Sequence, residues 1–233
     1  MSDMITFNTE QNTIFDPASI DPWHHLEVDA WVQKQIEWGE ANPSGRGLVE
    51  YLNKIFVDDN VMPPQGLIGA EIGVCLGVTT ELLLNETNTD LLYAVDNYPT
   101  YIDWNGLPIT AERQDRIKAH AAKRLSKFTQ YDPTAKYRFG VSNAVYLAYM
   151  DSTEFAKTIP DNHLDYVFID ADHSYEGALR DLKQYYPKVQ RGGIFAGHDL
   201  NLPSVNKALF EFFGEKVNKI IPLVDNAWLY YKD

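Results

Sequence analysis

The sequence predicts an α/β fold: a Rossmann-like, mostly parallel seven-stranded sheet with helices on both faces and a closing antiparallel hairpin. Three observations carry this. From Gln65 onward, short apolar runs alternate with amphipathic helical stretches, a pattern that implies parallel strands joined by crossover helices. A glycine-bearing turn, Gly73 to Gly77, follows the first of those strands directly. Two further apolar runs, Leu164 to Ile169 and Ile194 to Ala196, end in the polar groups Asp170 and His198-Asp199. Neighbouring parallel strands would deliver those groups to one sheet edge, where open α/β folds bind ligands.

Residues 1–64 differ in texture from the rest and are expected to form a helical cap. A helix-like run from His24 to Glu40 carries Trp31, Ile36 and Trp38, and Asn42-Pro43-Ser44-Gly45 breaks it. Ser44 could then cap a second helix with Leu48, Leu52, Ile55 and Phe56 at helical spacing. Pro63-Pro64 closes this part, and the main domain spans 65–233.

In the main domain, Leu67 to Ile72 is the first strand and Thr79 to Leu84 opens a helix. Leu91 to Val95 is the second strand, ending at Asp96, and Ala111 to Phe128 is a long helix with a basic face. Lys136 to Phe139 reads as the third strand, with Ser142 after it as a helix cap. Leu164 to Ile169 is the fourth strand, with a helix from Glu176 to Tyr186; Ile194 to Ala196 is the fifth, with a helix from Ser204 to Phe213. Val217 to Pro222 and Ala227 to Tyr231 are the closing strands, and their short connection implies an antiparallel hairpin.

Bulk properties narrow the function classes. Among 233 residues the formal net charge is −13, which repels phosphate backbones and disfavours a nucleic-acid partner. The N-terminal MSDMITFNTEQN has neither the basic nor the apolar region of a signal peptide. No apolar run approaches a membrane span. One cysteine, Cys75, rules out an internal disulfide framework and agrees with a reducing cytoplasm. The expected partner is a small-molecule substrate; oligomeric state is left open, a homo-oligomer included.

The loop Glu71-Ile72-Gly73-Val74-Cys75-Leu76-Gly77 reads as E-x-G-x-x-x-G. Glycines at such a turn allow positive φ and let a ligand approach the backbone, and the following helix offers its N-terminal amides. Asp96, closing the next strand, stands where a carboxylate can accept both hydroxyls of a ribose. Together they describe a nucleoside site. A dinucleotide site usually shows G-x-G-x-x-G, and no Tyr-x-x-x-Lys dyad is present. A nicotinamide-dependent oxidoreductase is therefore the second reading, and a non-catalytic S-adenosylmethionine-binding module the third.

The E-x-G-x-x-x-G run resembles motif I of class I S-adenosylmethionine-dependent methyltransferases. FIDADHSYEGALRDL and YYPKVQRGGIFAGHDL resemble the metal-dependent O-methyltransferases of the macrocin and sugar-modifying type, methyltransferase family 24-like and distant relatives of the catechol enzymes. The resemblance covers residues 65 to 231. It implies an S-adenosylmethionine-dependent, metal-assisted O-methyltransferase acting on a small hydroxylated metabolite, with a sugar-bearing one favoured. Glu71 would hold the amino-acid end of the cofactor, beside Gly73, Val74, Gly77 and Thr79. Asp96 and Asn97 would meet the ribose, and Ser142, Asn143 and Ala144 the adenine. Asp170 would border the cofactor and, with His198 and Asp199, bind a divalent metal. Catechol-type enzymes carry Asp-Asn at the last pair and several sugar-modifying ones carry two acids; here it is His-Asp. Mg²⁺ suits an oxygen-rich shell and an imidazole ligand leans toward Mn²⁺. The base is His173, whose imidazole titrates near working pH, or Asp172.

Overall fold

The computed structural model describes residues 27–58, 66–102, 108–132 and 143–233. Two helices open it, α1 (Val28–Ala41) and α2 (Arg46–Asp58). There follow β1 (Leu67–Ile72), α3 (Val78–Glu86), β2 (Thr89–Val95), the short hairpin β3 (Tyr101–Ile102) and β4 (Pro108–Ile109), and α4 (Ala111–Leu125). Then come β5 (Thr129–Gln130), β6 (Ala144–Ala148), α5 (Ser152–Ala156), β7 (Leu164–Ile169) and α6 (Tyr175–Tyr185). β8 (Val189–Gly197), α7 (Pro203–Phe213), β9 (Ile221–Pro222) and β10 (Trp228–Tyr231) complete it.

Eight strands form one sheet in the order β5-β6-β2-β1-β7-β8-β10-β9. All pairings from β5 to β8 are parallel, and β10 runs antiparallel to both neighbours. The expected closing hairpin is therefore present, with one adjustment. Gly214–Lys219 winds as a 3-10 helix, and only Ile221–Pro222 pairs as a strand.

Alternation along the central strands explains why both faces are covered. Ala70, Ile72, Val167 and Ile169 point into a core closed by α5, α6 and α7, while Leu67, Leu92, Tyr166 and Phe168 point into one closed by α2, α3 and α4. Leu48 and Leu52 of α2 are 0% and 1% exposed. The second helix of the expected cap is thus a layer of the main sheet, because its leucines supply that face's cover beside β8 and β10. α1 packs further out, with Trp31 and Val32 against Leu76, Ile109 and Ile117.

The third strand lies elsewhere than the sequence suggests. Lys136 to Phe139 is outside the described residues, and the strand beside β2 is Ala144–Ala148. At the far side, Lys232 laces the end of β10 to the start of β8: its backbone bonds Gly192 and Gly193, and its ammonium donates to the carbonyls of Pro187 and Val189. Among the described residues no helix is long and apolar enough to cross a membrane.

Candidate active site

β1 and β7 are adjacent, although the chain reaches β7 only after running out to β6 and back. The crevice outside their C-terminal ends is the topological switch point of the sheet. Gly73 has φ +94°, and a Cβ on it would stand 2.0 Å from the carbonyl oxygen of Asp170. Only glycine allows the tips of β1 and β7 to come this close, with Gly73 N–H on the Val95 carbonyl at 2.9 Å and Asp170 N–H on Ile72 at 2.8 Å.

Asp96 knits the loop from the β2 side. Its Oδ2 accepts the amides of Val74 (3.0 Å) and Cys75 (2.9 Å), and its Oδ1 accepts that of Tyr98 (2.7 Å). Burial pushes this carboxyl up in pKa, and the three amides oppose that. Three of about four lone-pair sites of the carboxylate are used, which leaves Oδ1 room for one hydroxyl. Glu71 is 1% exposed in β1 and accepts from the Thr80 hydroxyl of α3. Burial drives its pKa well above the ordinary carboxylate value, and the negative charges of Asp170 and Asp96 add to this. A buried acid of this kind gains from a cationic ligand group. The loop, Asp96 and Glu71 thus fit a nucleoside carrying a positively charged tail.

Other expected cofactor contacts are placed differently. Thr79 is buried beside Gly45 of the α1–α2 turn, and Asn97 is exposed. Asn143 and Ala144 lie at the start of β6, level with Leu91, about 13 Å from the ligand edge at 3.3 Å per residue. Ser142 is outside the described residues. The residues that leave β6 at the ligand edge are Tyr149 and Met150. Tyr149 stands 6.2 Å from the Tyr98 ring, and the Lys118 ammonium lies 4.2 Å over it. Tyr98 in turn donates its hydroxyl to the Cys75 carbonyl at 3.0 Å.

At the tips of β7 and β8, ligand atoms of Asp170, His173 and Asp199 lie within 4.8 Å of one another. His173 Nε2 is 3.3 Å from Asp170 Oδ1 and 3.0 Å from Asp199 Oδ2. His198 Nδ1 is 3.2 Å from Asp199 Oδ1 and 3.9 Å from Asp170 Oδ1. Asp199 has φ +58°, so the chain turns in the left-handed region just as it leaves β8 and swings this carboxylate toward Asp170. The carboxylates of Asp170 and Asp199 and the imidazole of His173 form a donor set for a divalent cation, and His198 adjoins it through Asp199.

Without a cation, the imidazoles balance the carboxylates. Partial desolvation pulls His173 down, but hydrogen bonds to Asp170 and Asp199 outweigh it and push it up to about 10. His198 behaves alike, rising to about 9 through Asp199 and Asp170. Burial raises Asp199, and the two histidines more than reverse that and hold it well below the carboxylate range.

The structure separates the two expected bases. His173 faces the carboxylates, and Ser204 of α7 pins its loop by donating to the His173 carbonyl at 2.6 Å. Asp172 turns away: its Oδ1 accepts the Ser174 amide at 2.9 Å, and its carboxyl packs against Gly177 in the first turn of α6. A local hydrogen bond to the chain two residues on has captured that side chain. A cavity of about 20 Å³ lies under the cluster, walled by Ile169, Leu182, Val205, Leu209 and Trp228. It has room for about one water.

Comparison with known proteins shows the family and the fold. The family Methyltransf_24, a methyltransferase domain, matches residues 70–200, more than half of the chain and both halves of the crevice. Among solved structures, CalS11, the calicheamicin methyltransferase, has 13% sequence identity and a TM-score of 0.53, over 89% of this chain and 84% of its own. A candidate O-methyltransferase from Klebsiella pneumoniae has 12% identity and a TM-score of 0.51, over 88% of this chain and 90% of its own. At such identities the likeness is one of fold. None of the curated proteins compared with the chain matches it.

Proposed function

Because the chain belongs to the Methyltransf_24 methyltransferase-domain family, we propose that it is an S-adenosylmethionine-dependent, divalent-metal-assisted O-methyltransferase acting on a small hydroxylated metabolite. The supporting observation is a single crevice: the Gly73 loop and Asp96 end β1 and β2, and Asp170, His173 and Asp199 end the adjoining β7 and β8. When bound there, S-adenosylmethionine supplies an electrophilic methyl group and a divalent cation makes an acceptor hydroxyl easier to deprotonate.

The chain's own residues do the rest. Glu71, whose burial favours the neutral acid, would ionise against the cationic amino-acid end of the cofactor, and Asp96 orients the ribose while its amide bonds keep the loop in shape. Asp170 and Asp199 would hold the cation, with His198 Nδ1 beside them as a further donor; Mg²⁺ or Mn²⁺ suits this mixed oxygen and nitrogen set. His173 sits at the rim, with 45% of its side chain exposed; a cation held by Asp170 and Asp199 would offset the two carboxylates that raise its pKa and leave it neutral to take the acceptor's proton. The resemblance of FIDADHSYEGALRDL and YYPKVQRGGIFAGHDL to the sugar-modifying enzymes favours a sugar-bearing acceptor.

Calorimetry with S-adenosylhomocysteine, with and without Mg²⁺, tests this reading. Binding of S-adenosylhomocysteine, the demethylated product, is the expected result, and its absence would end this reading. Thermal protection by NAD and none by S-adenosylhomocysteine would favour the oxidoreductase instead.

A further inference from the structure

His198 is the departure from the paired acids of the sugar-modifying enzymes, and its ring is held from outside the crevice. The turn between β9 and β10 returns to the ligand edge, because Trp228 pairs with Gly197. There the Asp225 carbonyl accepts His198 Nε2–H at 2.5 Å. Asp225 has φ +59°, and this backbone turn aims its carbonyl at the ring.

The Asp225 side chain is anchored too. Gly45 immediately precedes helix α2, and its carbonyl accepts Val49 N–H at 3.1 Å. A glycine at that position has no side chain to satisfy the first free amides of the helix. Asp225 Oδ2 does so instead, accepting Gly47 N–H at 3.1 Å from 178 residues away. A Cβ on Gly47 would stand 2.8 Å from both Asp225 Oδ1 and the Val224 carbonyl, so glycine is what lets the turn seat on the helix end. The negative carboxylate also suits the positive end of the helix dipole.

We propose that Asp225 is a positioning residue for His198: it is anchored by its carboxylate to the α2 N-terminus and fixes the ring with its carbonyl, so that Nδ1 faces Asp170 and Asp199. A carbonyl can only accept, so the single N–H of a neutral imidazole goes to Nε2 and the lone pair to Nδ1. Nδ1 is the nitrogen found 3.2 Å from Asp199 and 3.9 Å from Asp170. This inference rests on the proposed metal site and adds α2, through Asp225, to the groups that hold it.

The test uses the full chain and Mn²⁺ alone. Asp225→Gly keeps the left-handed backbone accessible but removes the acceptor for Gly47. Asp225→Asn keeps both. Calorimetry is expected to show Mn²⁺ binding weakened about 10–100-fold in Asp225→Gly, the range for losing a group that orients a ligand. Asp225→Asn should stay within about threefold, since asparagine caps a helix as well as aspartate. A ¹⁵N spectrum of the metal-free protein should show a hydrogen-bonded, slowly exchanging proton on His198 Nε2 in wild type and Asp225→Asn, and faster exchange in Asp225→Gly, which keeps the carbonyl but loses the anchor that aims it. Wild-type Mn²⁺ affinity in Asp225→Gly overturns the proposal. So does a wild-type spectrum with no such proton, which decides the matter even if the glycine variant does not fold. A wild type with no Mn²⁺ affinity ends the metal reading, a failure that the ring-proton spectrum keeps distinct.

Discussion

Gly73→Ala is the sharpest perturbation of the crevice. Two costs add. A non-glycine residue must adopt φ +94°, outside its comfortable range, at about 1–3 kcal/mol. Its methyl group would lie 2.0 Å from the Asp170 carbonyl oxygen and 2.6 Å from the carbonyl carbon, where ordinary contact begins at 3.4 Å. The tips of β1 and β7 must separate by more than an ångström, and overpacking of this kind costs about 1–3 kcal/mol. The total is about 2–6 kcal/mol. Gly192→Ala is the control, with φ +78° and nothing within 4 Å of the added methyl, so it carries the backbone cost alone. Urea unfolding of both variants, read as a change in midpoint at constant slope, separates the two costs. Because the clash falls on Asp170, the alanine variant should also lose Mn²⁺ and S-adenosylhomocysteine binding, whereas Gly192→Ala should keep both. Equal stability of the two variants, with binding intact in each, would refute the close approach of the strand tips.

Other outcomes depend on single contacts. Glu71 has a folded pKa raised above its unfolded value of about 4.3, so the folded state holds the proton more tightly. Stability is then lost as pH rises from the unfolded value through the folded one; Glu71→Gln should flatten that slope and be more stable than wild type at pH 8 in urea titrations. The same variant should bind S-adenosylhomocysteine about 10–100-fold more weakly if the acid meets a charged amine, as the loss of a hydrogen bond to an ionised group implies. Asp172→Ala should cost about 0.5–1.5 kcal/mol for the lost bond to Ser174 and leave Mn²⁺ affinity unchanged; a large loss of affinity by calorimetry would return Asp172 to the site. Leu48→Ala, at a fully buried position, should cost about 2–5 kcal/mol, and a change under about 1 kcal/mol would mean that α2 is not part of the sheet's cover.

Much of this architecture was legible because parallel strands are buried on both faces. β1 and β7 keep the bounds their apolar runs suggest, Leu67–Ile72 and Leu164–Ile169, each between a turn signal and a charged or glycine end. β8 is longer than Ile194 to Ala196: Val189 already pairs with Leu164 and is buried, but Gln190 to Gly193 is polar and glycine-rich and the register against β7 shifts there, which hides the start of the strand. β6 was hidden by its own composition. Tyr146 and Leu147 are half-buried near the sheet's margin, so Ala144–Ala148 lacks the contrast of a central strand, and Lys136 to Phe139 reads as the better candidate.

Spacing also located the carboxylates of the site, because the end of a strand fixes where its next residue lies. It did not resolve side-chain direction. Asp172 and His173 are neighbours, yet the α6 cap captures one and the crevice takes the other. The Asp225 to Gly47 contact joins residues 178 apart with no motif at either end. Gly47 itself was the available signal, a second glycine after Gly45 where one would suffice for a turn.

The seam at Lys232 bears on how the protein can be attached to a support. β10 runs away from the crevice, and its last residue is tied beside Gly192 and Gly193, about 16 Å upstream of His198 along β8. A tether grafted beyond Asp233 would depart from the rear of the sheet. The join of an immobilised or fused form would therefore lie at the end of the sheet opposite the crevice.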